Sequence, residues 1–133
     1  MSMQQQYQAY KNNSVTTASP GELTLMLYNG CLKFTKQAVK DIEAGNHELK
    51  NINIQKAQKI IQELMVTLDQ KAEISKEILP IYDYINRRLM EANINNDKEI
   101  LEEVMGLVEE FRDTWKEVIK LNRQKQYGRG AQA

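Results

Sequence analysis

The sequence predicts an all-α protein, an antiparallel up-down four-helix bundle with a flexible N-terminal leader. Four long segments repeat apolar residues at alternating steps of three and four, the spacing that lines one face of a helix. No segment alternates apolar and polar residues over a useful length, so the pattern does not favour strands. Only short connections separate the four segments, and short connections place consecutive helices side by side and antiparallel.

Composition divides the chain into three parts. Residues 1–16 are polar and weakly patterned, and we expect a flexible leader or flap there. Residues 17–122 contain the four helical patterns, without a repeat or a linker, and predict the bundle itself. Residues 123–133 ("RQKQYGRGAQA") are polar and contain glycine, which predicts a disordered tail. A length of 133 residues fits one domain.

Helix-start and helix-stop signals bound the first helix. Ser19 is a good N-cap, Pro20 suits the first helical position, and Glu22 can reach back to the backbone of the cap. Gly45, in "EAGNHE", predicts the left-handed turn that ends this helix.

The other helices are predicted at residues 48–71, at residues 74–93 and from about Asn96 onward. Pro80 lies inside the third helix and should kink it or delay its regular start. The stretch "NDKE" offers a cap and a glutamate three positions later for the fourth helix. Trp115 continues the apolar stripe of the fourth helix, and we expect it to be a core anchor.

The first helix carries more apolar surface than one buried stripe requires. A bundle-facing stripe is followed by a second apolar cluster about 170° away on the helical wheel; the cluster is Leu25, Tyr28, Leu32 and Val39. One interpretation is that the helix touches two neighbours, which widens its buried arc. The other is that the second cluster receives a partner helix, a dimer mate or the leader, because exposed apolar patches usually mark binding sites.

Composition also limits the cellular location and the kinds of partner that we expect. The chain has 18 basic and 18 acidic residues, which gives no electrostatic argument for nucleic acid as the main partner. No apolar run approaches the roughly 18 residues of a membrane span, so membrane insertion is not expected. The amino terminus lacks the order of a signal peptide, and we expect a cytosolic protein. Cys31 is expected to be a small core residue.

The sequence lacks the groups of residues that catalysis or metal binding would require. His47 is the only histidine, in a predicted turn, and no second ligand accompanies it as a zinc site would require. Glycine-rich phosphate loops and nucleophile motifs are absent. Arg87 and Arg88 point about 100° apart on a helix, so they do not form a paired clamp. We therefore expect no enzymatic activity, no metal and no cofactor.

Four blocks taken together resemble the FliS family of flagellar export chaperones. They are "VTTASPGELTLMLYNGCLKF", "NINIQKAQKIIQELMVTLD", "LPIYDYINRRLMEAN" and "EEVMGLVEEFRDTW", in this order. The resemblance extends from about Tyr7 to Trp115 and so includes nearly the whole chain. It implies a cytosolic four-helix bundle that binds the disordered carboxy-terminal segment of flagellin, which becomes helical and lays its apolar faces into grooves on the bundle.

The resemblance also implies a purpose for that binding. The chaperone prevents premature filament formation and delivers flagellin to the type III export gate, where the cytoplasmic domain of the FlhA protein recognises the loaded complex. The leader can occupy part of the site when flagellin is absent.

Helical position and the resemblance together select a pool of candidate partner-binding residues. The pool is Tyr7, Tyr10, Val15, Leu23, Leu27, Ile54, Ile61, Leu64, Leu68, Leu79, Tyr82 and Leu89. We expect some of these to be plain core residues. The alternative hypothesis is a homodimeric helical regulatory adaptor that uses the surplus apolar surface as its subunit interface.

Overall fold

A computed structural model describes residues 20–68 and 71–132 as four α-helices, with no strand in those two ranges. The helices are α1 (Pro20–Glu43), α2 (His47–Thr67), α3 (Ser75–Asn95) and α4 (Lys98–Gln132). The predicted all-α class and the four-helix bundle are confirmed. The predicted cap Ser19 and the predicted leader lie outside the described residues.

The turn between α1 and α2 follows the expected chemistry. Gly45 has φ +73°, and its N–H donates to the Ile42 carbonyl at 3.0 Å. The Asn46 N–H donates to the Asp41 carbonyl at 2.8 Å, so two terminal carbonyls of α1 are satisfied. The Asn46 side chain then accepts from the Leu49 N–H at 3.1 Å and caps α2.

The end of α2 and the start of α3 differ from the prediction. The sequence predicts a second helix to residue 71, but α2 ends at Thr67 because Leu68 adopts an extended backbone. Pro80 lies in the second turn of α3, where it cannot donate to the carbonyl four residues earlier. The helix nevertheless continues through Pro80, which is exposed.

The start of α4 corrects one predicted cap. Asn96 has φ +52° and closes α3, with its N–H directed to the Ala92 carbonyl. The cap of α4 is instead Asp97, whose Oδ1 accepts from the N–H of Glu99 at 3.0 Å and of Ile100 at 3.3 Å. Asparagine tolerates the left-handed region better than most residues, which explains why Asn96 ends one helix rather than starting the next.

At its other end, α4 continues through the segment predicted as a disordered tail. It extends to Gln132. Arginine, lysine and glutamine between positions 123 and 126 are good helix formers, and no proline follows to stop the helix.

Each helix packs against two neighbours, and all four neighbouring pairs are antiparallel. The order around the bundle is α1, α2, α3, α4 and back to α1. A hydrogen bond links each neighbouring pair: Asn53 to Asp41, Gln58 to Asn86, Arg88 to Glu103 and Trp115 to Gly21. Short turns make consecutive helices antiparallel, and α4 runs opposite to α1 because Trp115 meets Gly21 while the earlier Phe111 meets the later Tyr28.

This ring answers the question that the second apolar cluster of α1 raised. Tyr28 and Leu32 are buried, and Val39 packs against the core from its edge. Because α1 contacts both α2 and α4, a wide apolar arc is needed within the bundle itself. Most of the second cluster is therefore core, and Cys31 is a core residue as predicted.

Polar contacts close the end of the bundle at which α1 ends and α2 begins. The buried Asp41 carboxylate accepts from Asn53 Nδ2 at 2.7 Å and from Gln37 Nε2 at 3.1 Å. The buried Lys50 donates from Nζ to the Asn93 carbonyl near the end of α3 at 2.8 Å. These bonds tie α1, α2 and α3 together there, and the open cleft of the bundle lies at the opposite end.

Candidate binding cleft

An open cleft of about 800 Å³ lies at the end of the bundle where α1 begins and α2 ends. All four helices and the connection before α3 contribute to it. Its lining residues are Thr24, Tyr28, Leu64, Thr67, Leu68, Ala72, Ile74, Ser75, Glu77, Ile78, Ile81, Tyr82, Leu107, Glu110, Phe111, Thr114, Trp115 and Val118.

Unequal helix lengths produce this cleft. The α2 helix ends at Thr67, whereas the apolar stripe of α4 continues through Phe111, Trp115 and Val118. The α2 helix lies diagonally opposite α4 in the ring, so beyond Thr67 no turn of α2 faces this part of the α4 stripe across the core. Apolar side chains without a full set of neighbours form a concave surface suited to an apolar ligand.

An aromatic cluster forms part of the cleft wall. The Phe111 ring stacks on Tyr28 with ring centres 5.9 Å apart and lies 5.3 Å from the Tyr82 ring at an angle of 50°. The hydroxyls of Tyr28 and Tyr82 share a hydrogen bond of 2.5 Å across the diagonal of the bundle. Burial raises the pKa of both phenols, and in Tyr82 the hydrogen bond to Tyr28 raises it further.

Trp115 lies at the mouth of the cleft and not in the centre of the core. Its ring is half-buried and packs against the core from the edge. Its Nε1–H donates to the Gly21 carbonyl at 2.7 Å, which is one of the carbonyls in the first turn of α1. Trp115 is therefore a link between α4 and α1 beside the cleft, a correction to the predicted core anchor.

The charges on the cleft are acidic. Glu77 on α3 and Glu110 on α4 contribute to its lining, and no lysine or arginine is among the described residues that line it. The remaining polar groups are hydroxyls of threonine, serine and tyrosine. The cleft therefore offers an apolar surface with a weakly negative rim.

The structure divides the predicted pool of partner-binding residues. Leu64, Leu68 and Tyr82 line the cleft, although Leu64 and Tyr82 are almost fully covered by the protein. Leu23 is half-buried against the core, and Leu79 is exposed on α3 outside the cleft.

The rest of the pool offers no surface to a partner in this conformation or lies outside the described residues. The core residues are Leu27, Ile54, Ile61 and Leu89, each at most 2% exposed. Their spacing matched the bundle-facing stripe, which is why helical position alone could not separate them from cleft residues. Tyr7, Tyr10 and Val15 lie outside the described residues.

Sequence reasoning did not select several residues that form the cleft. Ile74 lies just before α3, Ile78 and Ile81 lie in its first turns, and Phe111 and Val118 continue the stripe of α4. The one sequence feature that could have pointed to the cleft was Ile81, an apolar residue outside the main stripe of its helix. The α4 stripe by itself does not show which of its residues are uncovered, because that depends on the end of α2 at Thr67.

The geometry of the cleft supports binding of an apolar segment.

No group of three or more histidine, cysteine, aspartate or glutamate side chains within the described ranges is arranged to hold a metal ion. Within those same ranges, none of the helices combines the length and apolarity that crossing a bilayer demands.

Comparison with known proteins identifies the class. A family model described as flagellar protein FliS matches residues 3–122. The flagellar secretion chaperone FliS of Bacillus subtilis (strain 168) is 53% identical over 130 residues, which are 98% of this chain and 98% of that protein. Its counterpart of the same name in Escherichia coli (strain K12) is 35% identical over 110 residues, 80% of this chain and 81% of that protein.

A solved structure supports the fold independently. A crystal structure of a flagellar chaperone from bacteria superimposes with a TM-score of 0.72 at 15% identity, covering 88% of this chain and 97% of that chain. Fold and relatives define a flagellar export chaperone, a class of chaperones and not of enzymes. The chain belongs to the FliS family.

Proposed function

We propose that this chain is a cytosolic chaperone that binds the disordered carboxy-terminal segment of flagellin as a helix in the apolar cleft. Binding prevents premature polymerisation, and the loaded complex delivers flagellin to the type III export gate through the cytoplasmic domain of FlhA. The observation that carries the proposal is the apolar cleft in a member of the FliS family.

The recognition mode is a helix in a groove. An amphipathic helix places side chains three and four residues apart into such a surface, and Ile78 and Ile81 on α3, with Ile74 just before it, have the matching spacing. Ordering a disordered partner costs about 2–5 kcal/mol, and burial of roughly 1,000–3,000 Å² offsets that cost. Flagellin helices that lie in the cleft are unavailable to a filament neighbour, which accounts for control of polymerisation.

Calorimetric titration with a peptide from the flagellin carboxy terminus, followed in parallel by circular dichroism, tests this proposal. Coupled folding predicts a strongly negative heat-capacity change and a gain of helix beyond the sum of the free components. Absence of binding to flagellin from the same cell would refute the proposed function.

A matched pair of variants on α3 tests whether the peptide binds in the cleft. Ile81 lines the cleft and is 39% exposed, whereas Ile94 is 75% exposed on the same helix and does not line it. Ile81→Glu places a charge on the apolar wall near Glu77, and we expect it to weaken peptide binding about tenfold or more. Ile94→Glu should bind like the unmodified protein. Equal affinities for the two variants would place the peptide elsewhere.

One observation favours the adaptor hypothesis as a second candidate. Leu79, Met90 and Ile94 share an exposed face of α3 outside the cleft. Sedimentation velocity at micromolar concentration separates the two functions. A dimer that Ile94→Glu dissociates, together with no affinity for the flagellin peptide, would favour the adaptor.

A further inference from the structure

The paired hydroxyls of Tyr28 and Tyr82 contain one more proton than their mutual hydrogen bond uses. Each phenol can donate one hydrogen bond and accept others. One proton lies between the two oxygens, 2.5 Å apart, and the accepting hydroxyl keeps its own. Neither hydroxyl has a second partner among the described residues. One O–H of the pair therefore has no acceptor among the described residues of the bundle.

Both tyrosines that carry this donor border the cleft. Tyr28 is 4% and Tyr82 is 2% exposed, yet both contribute to the cleft lining. The Phe111 ring packs against both tyrosine rings and holds them in place. A phenol with the ordinary pKa of 10.0 is protonated at neutral pH, and burial raises the pKa of both tyrosines further, so both hydroxyls keep their protons. A donor without a partner in apolar surroundings is costly, so an acceptor brought by a ligand is favoured there.

The charges of the cleft select the kind of acceptor. A carboxylate beside the tyrosine pair would be buried without a cation, since the described lining contains Glu77 and Glu110 and no basic residue. A neutral amide or hydroxyl oxygen can accept the bond without that cost. Lysine or arginine at the flanks of the ligand would complement the two glutamates.

We infer that the Tyr28–Tyr82 hydroxyl pair is the specificity-determining donor of the cleft. It donates its remaining proton to one neutral side-chain oxygen, from Asn, Gln, Ser or Thr, on the otherwise apolar face of the docked helix. This inference rests on the proposed function, and it adds a chemical requirement to the segment that the chaperone accepts.

The test compares the unmodified protein with the double variant Tyr28→Phe/Tyr82→Phe. Both hydroxyls are replaced because a single remaining tyrosine could still donate to the ligand. Removing both partners also leaves no hydroxyl without a partner, so the variant should fold. Peptides from the flagellin carboxy terminus carry single replacements of their neutral polar residues, Thr→Val, Ser→Ala, Asn→Leu or Gln→Leu.

We expect one peptide position at which the replacement weakens binding to the unmodified protein about 3- to 10-fold. The same replacement should leave binding to the double variant unchanged, because the donor is already absent. Tyr84→Phe is the matched control, since Tyr84 lies on α3 outside the cleft and contacts Glu103. With that control the full effect of the peptide replacement should remain.

Two outcomes would overturn the inference separately from the proposed function. If the unmodified protein binds the peptide but every replacement has the same effect on both proteins, the tyrosine pair does not determine specificity. If an Asp or Glu replacement at the identified position binds as well as the neutral residue, the required acceptor is not neutral. If the unmodified protein fails to bind any flagellin peptide, the proposed function is wrong and the inference falls with it.

Discussion

Burial of single side chains sets the chemical behaviour of this bundle. Cys31 is fully buried and its sulfur lies 4.0 Å from the Thr35 hydroxyl. Burial raises the pKa of the Cys31 thiol from its ordinary value of 9.0 to about 12, only partly countered by the Thr35 contact. The thiolate is the reactive form, so Cys31 acts as a small apolar core residue and not as a nucleophile.

The raised pKa of Cys31 predicts a loss of stability at alkaline pH. Above about pH 9 the unfolded thiol loses its proton while the folded thiol keeps it until about pH 12. The free energy of unfolding should therefore fall by about 1.4 kcal/mol per pH unit for this group within that window. The buried Tyr28 and Tyr82 add to the fall in the same direction.

The variant Cys31→Ala isolates the contribution of the thiol. Urea unfolding between pH 8 and pH 10.5 should give a shallower decline for this variant than for the unmodified protein, whatever its stability at neutral pH. Parallel pH profiles would mean that the thiol is not buried in solution as it is here.

At the scale of the elements, two glycines of similar appearance in the sequence have opposite roles. Gly45 ends α1 with φ +73°, a conformation that side chains with a Cβ rarely adopt. Gly106 is an exposed residue inside α4, and a Cβ there would meet no atom within 4 Å apart from its chain neighbours and the adjacent backbone of its own helix. The first glycine is required by the turn, and the second only weakens its helix.

Alanine at these two positions should change stability in opposite directions. Gly45→Ala should lower the free energy of unfolding by about 1–2 kcal/mol because the left-handed conformation becomes strained. Gly106→Ala should raise it by about 0.5–1 kcal/mol through better helix propensity. Chemical unfolding at neutral pH measures both, and a change of the same sign in the two variants would contradict the assignment.

For the whole molecule, buried polar hydrogen bonds join the helices at one end of the bundle, and an apolar cleft lies at the other end. Asp41 and Lys50 secure the closed end, while Tyr28, Tyr82 and Phe111 form part of the cleft wall. A bundle held at one end can present apolar surface at the other without losing its core. This division suits the binding of an apolar segment that we propose.

The composition of the cleft predicts weak salt dependence of binding. Only Glu77 and Glu110 bring charge to the described lining, and charges at the rim contribute little to affinity. Raising the NaCl concentration from 50 to 500 mM should change the dissociation constant of the flagellin peptide by less than about threefold. Isothermal titration across that range is the measurement, and a loss of orders of magnitude would show that charges and not apolar anchors carry the affinity.

Periodicity, capping residues and the quoted blocks were sufficient to predict four antiparallel helices, their order and the family. These properties depend on residues close together in the sequence, and local patterns record them. The caps show the limit of such patterns: Gly45 ends α1 as predicted, but Asp97 and not Asn96 caps α4. The α4 helix extends to Gln132 here, and propensity alone does not say where a helix stops.

The binding surface depended on tertiary structure. Leu27 and Ile81 are both apolar helix residues, yet one is core and the other lines the cleft. Their difference arises because α2 ends at Thr67 while α3 and α4 continue beside the gap. The sequence by itself determined which residues are apolar and on which helix they lie. Only the packing of four helices of unequal length decided which of them remain uncovered, because burial depends on neighbours distant in the chain.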